Sequence, residues 1–259
     1  MIDLKEHLDV ISKIKSRLAG LNGKILFLTI SGAHLYGFPS RDSDIDYRGT
    51  FVIGTENLLG LQIPKDVVEI SYPEGNPSGV VLFELRKEIG LALSGNCNVI
   101  EHINAPPILT TAEFLKLKEL VNNSFGKNGL YNSYKGMATF NYKKFILQGK
   151  NTVKKYLYVF RGLMAGIYVL ETGVIQPNIV ELNKYFKIKE VDKLIELKTT
   201  GTEVGTVPDY LDMGNMEKII NELFEKMDRA YSKSKIPERP EKEDIDALDL
   251  FLKNVRRDS

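Results

Sequence analysis

The 259-residue chain has one cysteine, almost no net charge and no long apolar run. A lone Cys97 excludes an intramolecular disulfide and fits a reducing compartment. The opening residues, Met-Ile-Asp-Leu-Lys-Glu-His, lack an apolar signal core. The most apolar stretch, residues 156–170, is interrupted by Arg161 and is too short to span a bilayer. A cytoplasmic setting, with no membrane partner, is therefore expected. Repeats and low-complexity tracts are absent. So are a Walker-type loop and a Gly-x-Ser-x-Gly elbow, which argues against P-loop enzymes and serine hydrolases. Cys97 and His102 have no second cysteine to join, which argues against zinc.

The missing charge conceals an asymmetry. With 35 basic and 34 acidic residues the formal charge is +1, an average that argues against a basic nucleic-acid-coating protein. Yet residues 120–170 contain no Asp or Glu, while they carry Lys127, Lys135, Lys143, Lys144, Lys150, Lys154, Lys155 and Arg161. The acids are concentrated elsewhere. The hydrophobic fraction of 43% is that of a globular protein, and the length suits one large domain or two modest ones.

Leu4, Leu8, Ile11, Ile14 and Leu18 recur at helical spacing and predict a helix that ends near Gly20. Residues 24–30 (KILFLTI) read as a strand buried on both faces. A glycine-bounded turn, 31–43, precedes a second strand over 45–53. Further strands are expected at 67–70 and 80–83, the latter running directly into a helix over 85–93. Beyond Pro106 and Pro107 no strand is expected. Helices are predicted near 111–121, 133–148, 152–172, 178–186, 188–198, 215–233 and 243–255, with 122–132 as a connection. The reading is α/β, more closely α+β: a small mixed-sheet domain over 1–110, then an all-helical domain over 111–259.

The segment TISGAHLYGFPSRDSDIDYRG, residues 29–49, carries the most chemistry. Gly32 and Gly37 bound a turn that follows a buried strand, where backbone N–H groups can meet a phosphate. Asp44 and Asp46 follow. In a strand, two residues one apart share a face, and two carboxylates on one face repel each other. Divalent cations relieve that repulsion, because Mg²⁺ takes carboxylate oxygens together with substrate phosphate oxygens. A pair of such ions about 4 Å apart activates an attacking hydroxyl and stabilises a leaving pyrophosphate. Glu84, which closes the 80–83 strand, is the preferred third carboxylate, with Glu69 as the alternative. His34 is expected on an exposed loop and His7 on a helix surface.

These residues resemble the DNA polymerase beta-like nucleotidyltransferase superfamily, and within it the RNA-repair-pathway (RlaP-like) group. The motif stands here as Gly32-Ala33-His34-Leu35-Tyr36-Gly37, then Ser43-Asp44-Ile45-Asp46-Tyr47-Arg48-Gly49. Glu84-Leu85-Arg86-Lys87, residues 95–101 and residues 154–161 continue it. The resemblance implies a catalytic domain with two Mg²⁺ (or Mn²⁺) ions on Asp44, Asp46 and Glu84. It also implies nucleotide contacts at Gly32, Ala33, Ser43 and Arg48, and a helical domain that closes over the nucleotide. It departs at Ala33, where the superfamily usually has a Ser whose hydroxyl helps hold the triphosphate.

Lys154, Tyr158 and Arg161 stand at i, i+4 and i+7 and share one helix face. They are read as a triphosphate grip with an aromatic for the base. Lys143, Lys144 and Lys150 are weaker candidates for an RNA backbone. The expected function is metal-dependent transfer of a nucleoside monophosphate from a nucleoside triphosphate to a hydroxyl of RNA, releasing pyrophosphate. The alternatives are antitoxin-like adenylylation of a protein, or a non-catalytic nucleotide- or RNA-binding module on the same fold.

Overall fold

The computed structural model describes residues 4–71, 79–149, 152–202, 205–208 and 211–257. The chain forms two compact units, each discontinuous in sequence. One comprises Met1–Gly32, Asp44–Phe125 and Pro240–Ser259; the other comprises Ala33–Ser43 and Gly126–Arg239. The chain thus passes between units at four points, where sequence reading places one boundary near residue 110.

The first unit is a five-stranded mixed sheet with helices. Its strands are β1 (Lys24–Ser31), β2 (Asp46–Val52), β3 (Val67–Ser71), β4 (Gly79–Glu84) and β5 (Pro107–Thr110), in the order β3-β4-β2-β1-β5. β2 and β4 are parallel, and the other neighbours are antiparallel. Alternation sorts the strand residues onto two faces. Helix α1 (Leu8–Ala19) packs Val10, Ile11, Ile14 and Leu18 against Leu28, Tyr47, Phe51, Val68, Val80 and Leu82. His7, at the start of α1, is buried there with Nδ1 3.0 Å from the Tyr47 hydroxyl, and so is not on the helix surface.

The opposite face bears Phe27, Thr29 and Ser31 of β1 beside Asp46, Arg48 and Thr50 of β2. Helices α4 (Leu85–Leu93), α5 (Cys97–Asn104) and α6 (Ala112–Asn123) belong to this unit. Phe114 of α6 stacks on Phe27 with ring centroids 3.8 Å apart, which draws α6 into the sheet unit. The C-terminal helix α12 (Lys242–Arg257) packs on α4 and α6.

Three elements of this unit are not expected from the sequence: the short helix α3 (Thr55–Leu58), β5 and α5. β5 exists despite Pro107 because it is an edge strand, where a missing N–H costs no ladder bond. α5 begins at an Asn96 cap that accepts from the Val99 N–H.

The second unit is helical. Its longest-buried element is α8 (Val153–Thr172), packed by α7 (Lys127–Asn141), α9 (Ile179–Phe186), α10 (Lys189–Thr200) and α11 (Met213–Lys233). Gly166 permits the close approach of α7, since a Cβ there would stand 2.8 Å from the Cβ of Tyr134. α7 starts inside the segment read as a connection. The N–H groups of Lys127 and Asn128 find partners in the carbonyls of Pro237 and Glu238, at 2.8 and 3.2 Å, a tertiary capping invisible to local composition. Among the described residues no helix is long and apolar enough to cross a membrane.

Candidate active site

The Asp pair sits at the entry to β2. Asp46 is the first residue of the strand and lies opposite Ser31, the last residue of β1. Asp44 precedes the strand and is exposed, and β2 begins one residue later than expected, after Ile45. Ser31 is buried, and its Oγ lies 2.8 Å from His102 Nε2 of α5, which fixes the end of β1 behind Asp46. Arg48 shares the Asp46 face. Its guanidinium donates to the Tyr47 carbonyl at 2.8 Å and reaches Asp46 Oδ1 at 3.5 Å.

Gly32 explains how the carboxylate fits there. Its φ is +64°, and a Cβ on it would lie 2.7 Å from Asp46 Oδ2. Any side chain would therefore meet both backbone strain and the carboxylate. At Gly79, the β4 partner of Asp46, a Cβ would meet Oδ1 only at an ordinary contact distance of 3.7 Å, so the demand for glycine is specific to position 32.

Glu84 is not brought to this site. In the parallel β2–β4 register Asp46 pairs with Gly79 and Phe51 with Glu84. Five residues of strand separate the two acids, about 16 Å, and an odd step puts them on opposite faces. Glu84 is instead committed structurally. Its Oε2 caps α4 by accepting from the Arg86 N–H at 2.8 Å, and its Oε1 accepts from Arg256 of α12 at 2.7 Å. Glu69 is exposed on the edge strand β3, paired with Val81 and hence two strands from Arg48. Among the described residues no group of three His, Cys, Asp or Glu side chains could hold a metal. The donor set at β2 is a carboxylate pair, which suits an Mg²⁺ ion completed by water and substrate phosphates better than a closed protein cage.

A buried acid missed by sequence reasoning lies on the same sheet face. Glu88 of α4 is buried against Thr50, and burial pushes its carboxyl up to about 8, moderated by the nearby Thr50 hydroxyl. Neither Glu88 Oε2 nor Thr50 Oγ1 finds a well-formed hydrogen bond. The one sequence signal for it is an acid at i+4 from Glu84, on the inward face of a short apolar helix.

The remaining candidates belong to the helical unit. Ala33 and Ser43 bound the 33–43 segment. Ala33 is buried in the short helix α2 (Gly32–Tyr36), whereas His34 is exposed, as expected. The Ser43 Oγ accepts from the Ser40 N–H at 2.9 Å and lies 2.8 Å from Ser40 Oγ, so it closes a local turn. Ser40 Oγ in turn accepts from the buried Lys198 ammonium at 2.7 Å.

Lys154, Tyr158 and Arg161 do share a face of α8, but that face is occupied from within the unit. Arg161 is fully buried with its Cζ 3.6 Å above the Tyr36 ring, and Tyr158 meets Tyr36 and Phe38 edge-on. Arg161 thus holds the glycine-turn segment in place. Lys143 and Lys144 are exposed on a π-helical turn, Tyr142–Ile146, and Lys150 lies outside the described residues.

Fold and site together define an α+β protein with Asp46 at the head of a central strand, lying against Gly32, where a side chain has no room, and Asp44 just before the strand. The model of RlaP, the RNA repair pathway DNA polymerase beta family, matches residues 4–254, and the chain belongs to that family. It is similar to the uncharacterized protein YcgL of Bacillus subtilis, with 29% identity over 205 residues, 75% of this chain and 77% of the relative. It is also similar to an uncharacterized protein of Methanocaldococcus jannaschii, with 28% identity over 236 residues, 88% of this chain and 93% of the relative. A nucleotidyltransferase-like protein from Exiguobacterium sibiricum 255-15 aligns over 96% of this chain and 79% of its own, at 13% identity and a TM-score of 0.32.

Proposed function

We propose that the protein is a metal-dependent nucleotidyltransferase that moves a nucleoside monophosphate from a nucleoside triphosphate to a hydroxyl group of RNA. The observation that carries this reading is the contact between Gly32 and Asp46, supported by membership in an RNA repair family. A strand-end carboxylate held against a bare backbone turn is suited to a cation–phosphate ligand, because the space beside it is kept free of side chains.

The acceptor oxygen forms a bond to the α-phosphorus as the α–β phosphoanhydride breaks, and pyrophosphate leaves with the bridging oxygen. The acceptor proton passes to solvent. When bound, Mg²⁺ or Mn²⁺ would neutralise charge on the triphosphate and on the attacking oxygen. Asp44 and Asp46 would hold it. Arg48 orients Asp46 through the 3.5 Å approach to Oδ1, and Ser31 with His102 fixes the backbone behind it. Positioning and charge neutralisation supply most of the rate in such transfers.

Ala33 favours a second reading, a nucleotide- or RNA-binding module without catalysis. As an alanine it lacks the side-chain hydroxyl usual at this position of the superfamily, and its methyl group is buried.

The test is transfer of labelled α-phosphate from each of the four nucleoside triphosphates, with Mg²⁺ or Mn²⁺, to total RNA or to protein. Labelled RNA with wild type, and none with Asp44→Asn or Asp46→Asn, is the expected result. Labelled protein instead points to adenylylation of a protein. Nucleotide binding without transfer supports the module. Label that survives both substitutions removes the Asp pair from the chemistry.

A further inference from the structure

The π-helical turn Tyr142–Ile146 builds a surface that neither the carboxylate site nor the helical core uses. A π turn inserts an extra residue into a helix and re-aims the side chains it carries. Here it turns Lys143 and Lys144 outward. Phe140, one turn before Lys144, is 55% exposed. The Lys144 ammonium stands 4.8 Å from the centre of that ring and 5.6 Å from the Phe145 ring. From α8, Lys155 places its ammonium 3.8 Å above Phe145. The two rings meet edge-on, 6.2 Å apart.

The cluster is therefore two phenyl rings with two ammonium groups on them, and with the exposed Lys143 and the half-buried Lys154 each next in sequence to one of those lysines. The stretch that carries it, residues 120–170, contains no acid of its own. Burial, then Lys154 and then Lys144, hold the Lys155 ammonium below the usual lysine range. Three like charges gathered around a hydrocarbon face cost free energy in isolation and are relieved by a polyanion.

We infer that this basic–aromatic surface docks single-stranded RNA, with a base on the open face of Phe140 and backbone phosphates between Lys144, Lys155 and Lys143. The inference rests on the nucleotidyltransferase reading only in that the strand held here would be the acceptor. A single strand fits better than a duplex. Its bases are free to stack on an aromatic ring, whereas those of a duplex are covered by their neighbours. An acidic peptide would answer the charge but gives the exposed ring no planar partner.

The experiment is fluorescence anisotropy of the full chain with labelled 12-nucleotide oligouridylate and oligoadenylate, and with a 12-base-pair RNA duplex. It is run in EDTA without nucleotide, at several salt concentrations. Each lost phosphate contact lowers the slope of log K against log salt by about 0.7 for a single strand. Lys144→Gln/Lys155→Gln should therefore flatten that slope by about 1.4 and weaken binding roughly ten- to thirtyfold near 0.1 M salt. Lys144→Gln alone should give half the slope change, should the double variant unfold. Phe140→Ala should weaken single-strand binding about fivefold or more with the slope unchanged.

No RNA binding by wild type, equal losses for duplex and single strand, or wild-type affinity in Phe140→Ala together with full competition by polyglutamate each overturns the surface. Absence of α-phosphate transfer by the wild type, with this binding pattern intact, refutes the enzymatic reading alone. Normal transfer to RNA by the lysine and phenylalanine variants, with unchanged binding, refutes the docking surface alone.

Discussion

Replacing Glu84 separates two roles for one carboxylate. If Glu84 serves the fold, its loss is read in stability; if it binds metal, its loss is read in transfer with stability untouched. Its side chain is 3% exposed and that of Arg256 is 15% exposed, and Arg256 also donates to the Ile53 carbonyl at 3.3 Å. Glu84→Gln keeps an oxygen to cap α4 but leaves the guanidinium without its charge partner. Removing one member of a buried pair costs about 3–5 kcal/mol. For a chain of this size that lowers the melting midpoint by roughly 6–20 °C.

Arg256→Met should cost a comparable amount. The double variant removes both charges, so it should recover at least about 2 kcal/mol relative to the sum of the singles. Glu84→Ala adds the cap loss of about 1 kcal/mol. The assay is chemical denaturation of the wild type and all four variants, with transfer measured well below their midpoints. A Glu84→Gln protein within about 0.5 kcal/mol of wild type, but inactive, would refute the structural assignment.

Two further outcomes follow from the sheet unit. Gly32→Ala should cost about 1–2 kcal/mol for a left-handed alanine, and the clash with Asp46 Oδ2 should cut transfer about a hundredfold; normal activity would show that the contact is not needed. Glu88, raised from 4.5 to about 8, keeps a proton in the folded state that the unfolded chain has already lost in that interval. Its contribution to stability is complete below pH 4.5, falls as pH rises and is gone above about 8, up to about 5 kcal/mol in all. Denaturation of Glu88→Gln at pH 5 and pH 8.5 should lack that component, and an undiminished pH difference would place it elsewhere.

Much of the fold is legible in local pattern. β1 shows as an apolar run, α4 and α8 as periodic segments with clean starts, and the Asp pair as two acids after a glycine turn. What local pattern cannot carry is pairing. Glu84 closes its strand as expected, but only the β2–β4 register reveals that it stands on the wrong face and at the wrong end for Asp46. Arg161 shares a face with Lys154 and Tyr158, as the spacing requires. Nothing in α8 announces that Tyr36, 125 residues away, fills the space above its guanidinium. Ser31 and His102 were separately visible, yet their 2.8 Å contact depends on how α5 lies on the sheet. Single strands and helices are encoded nearby; sites are encoded across the chain.

The anchoring of α12 has a consequence for how the protein is made. Glu84 and Arg256 are 172 residues apart. At about 5–20 residues per second, ribosomes deliver the arginine roughly 10–30 s after the glutamate. Throughout that interval Glu84 lacks its guanidinium partner, while residues 126–239 of the helical unit are synthesised. The sheet unit is complete only once residues 242–257, the helix made last, have docked on α4 and α6.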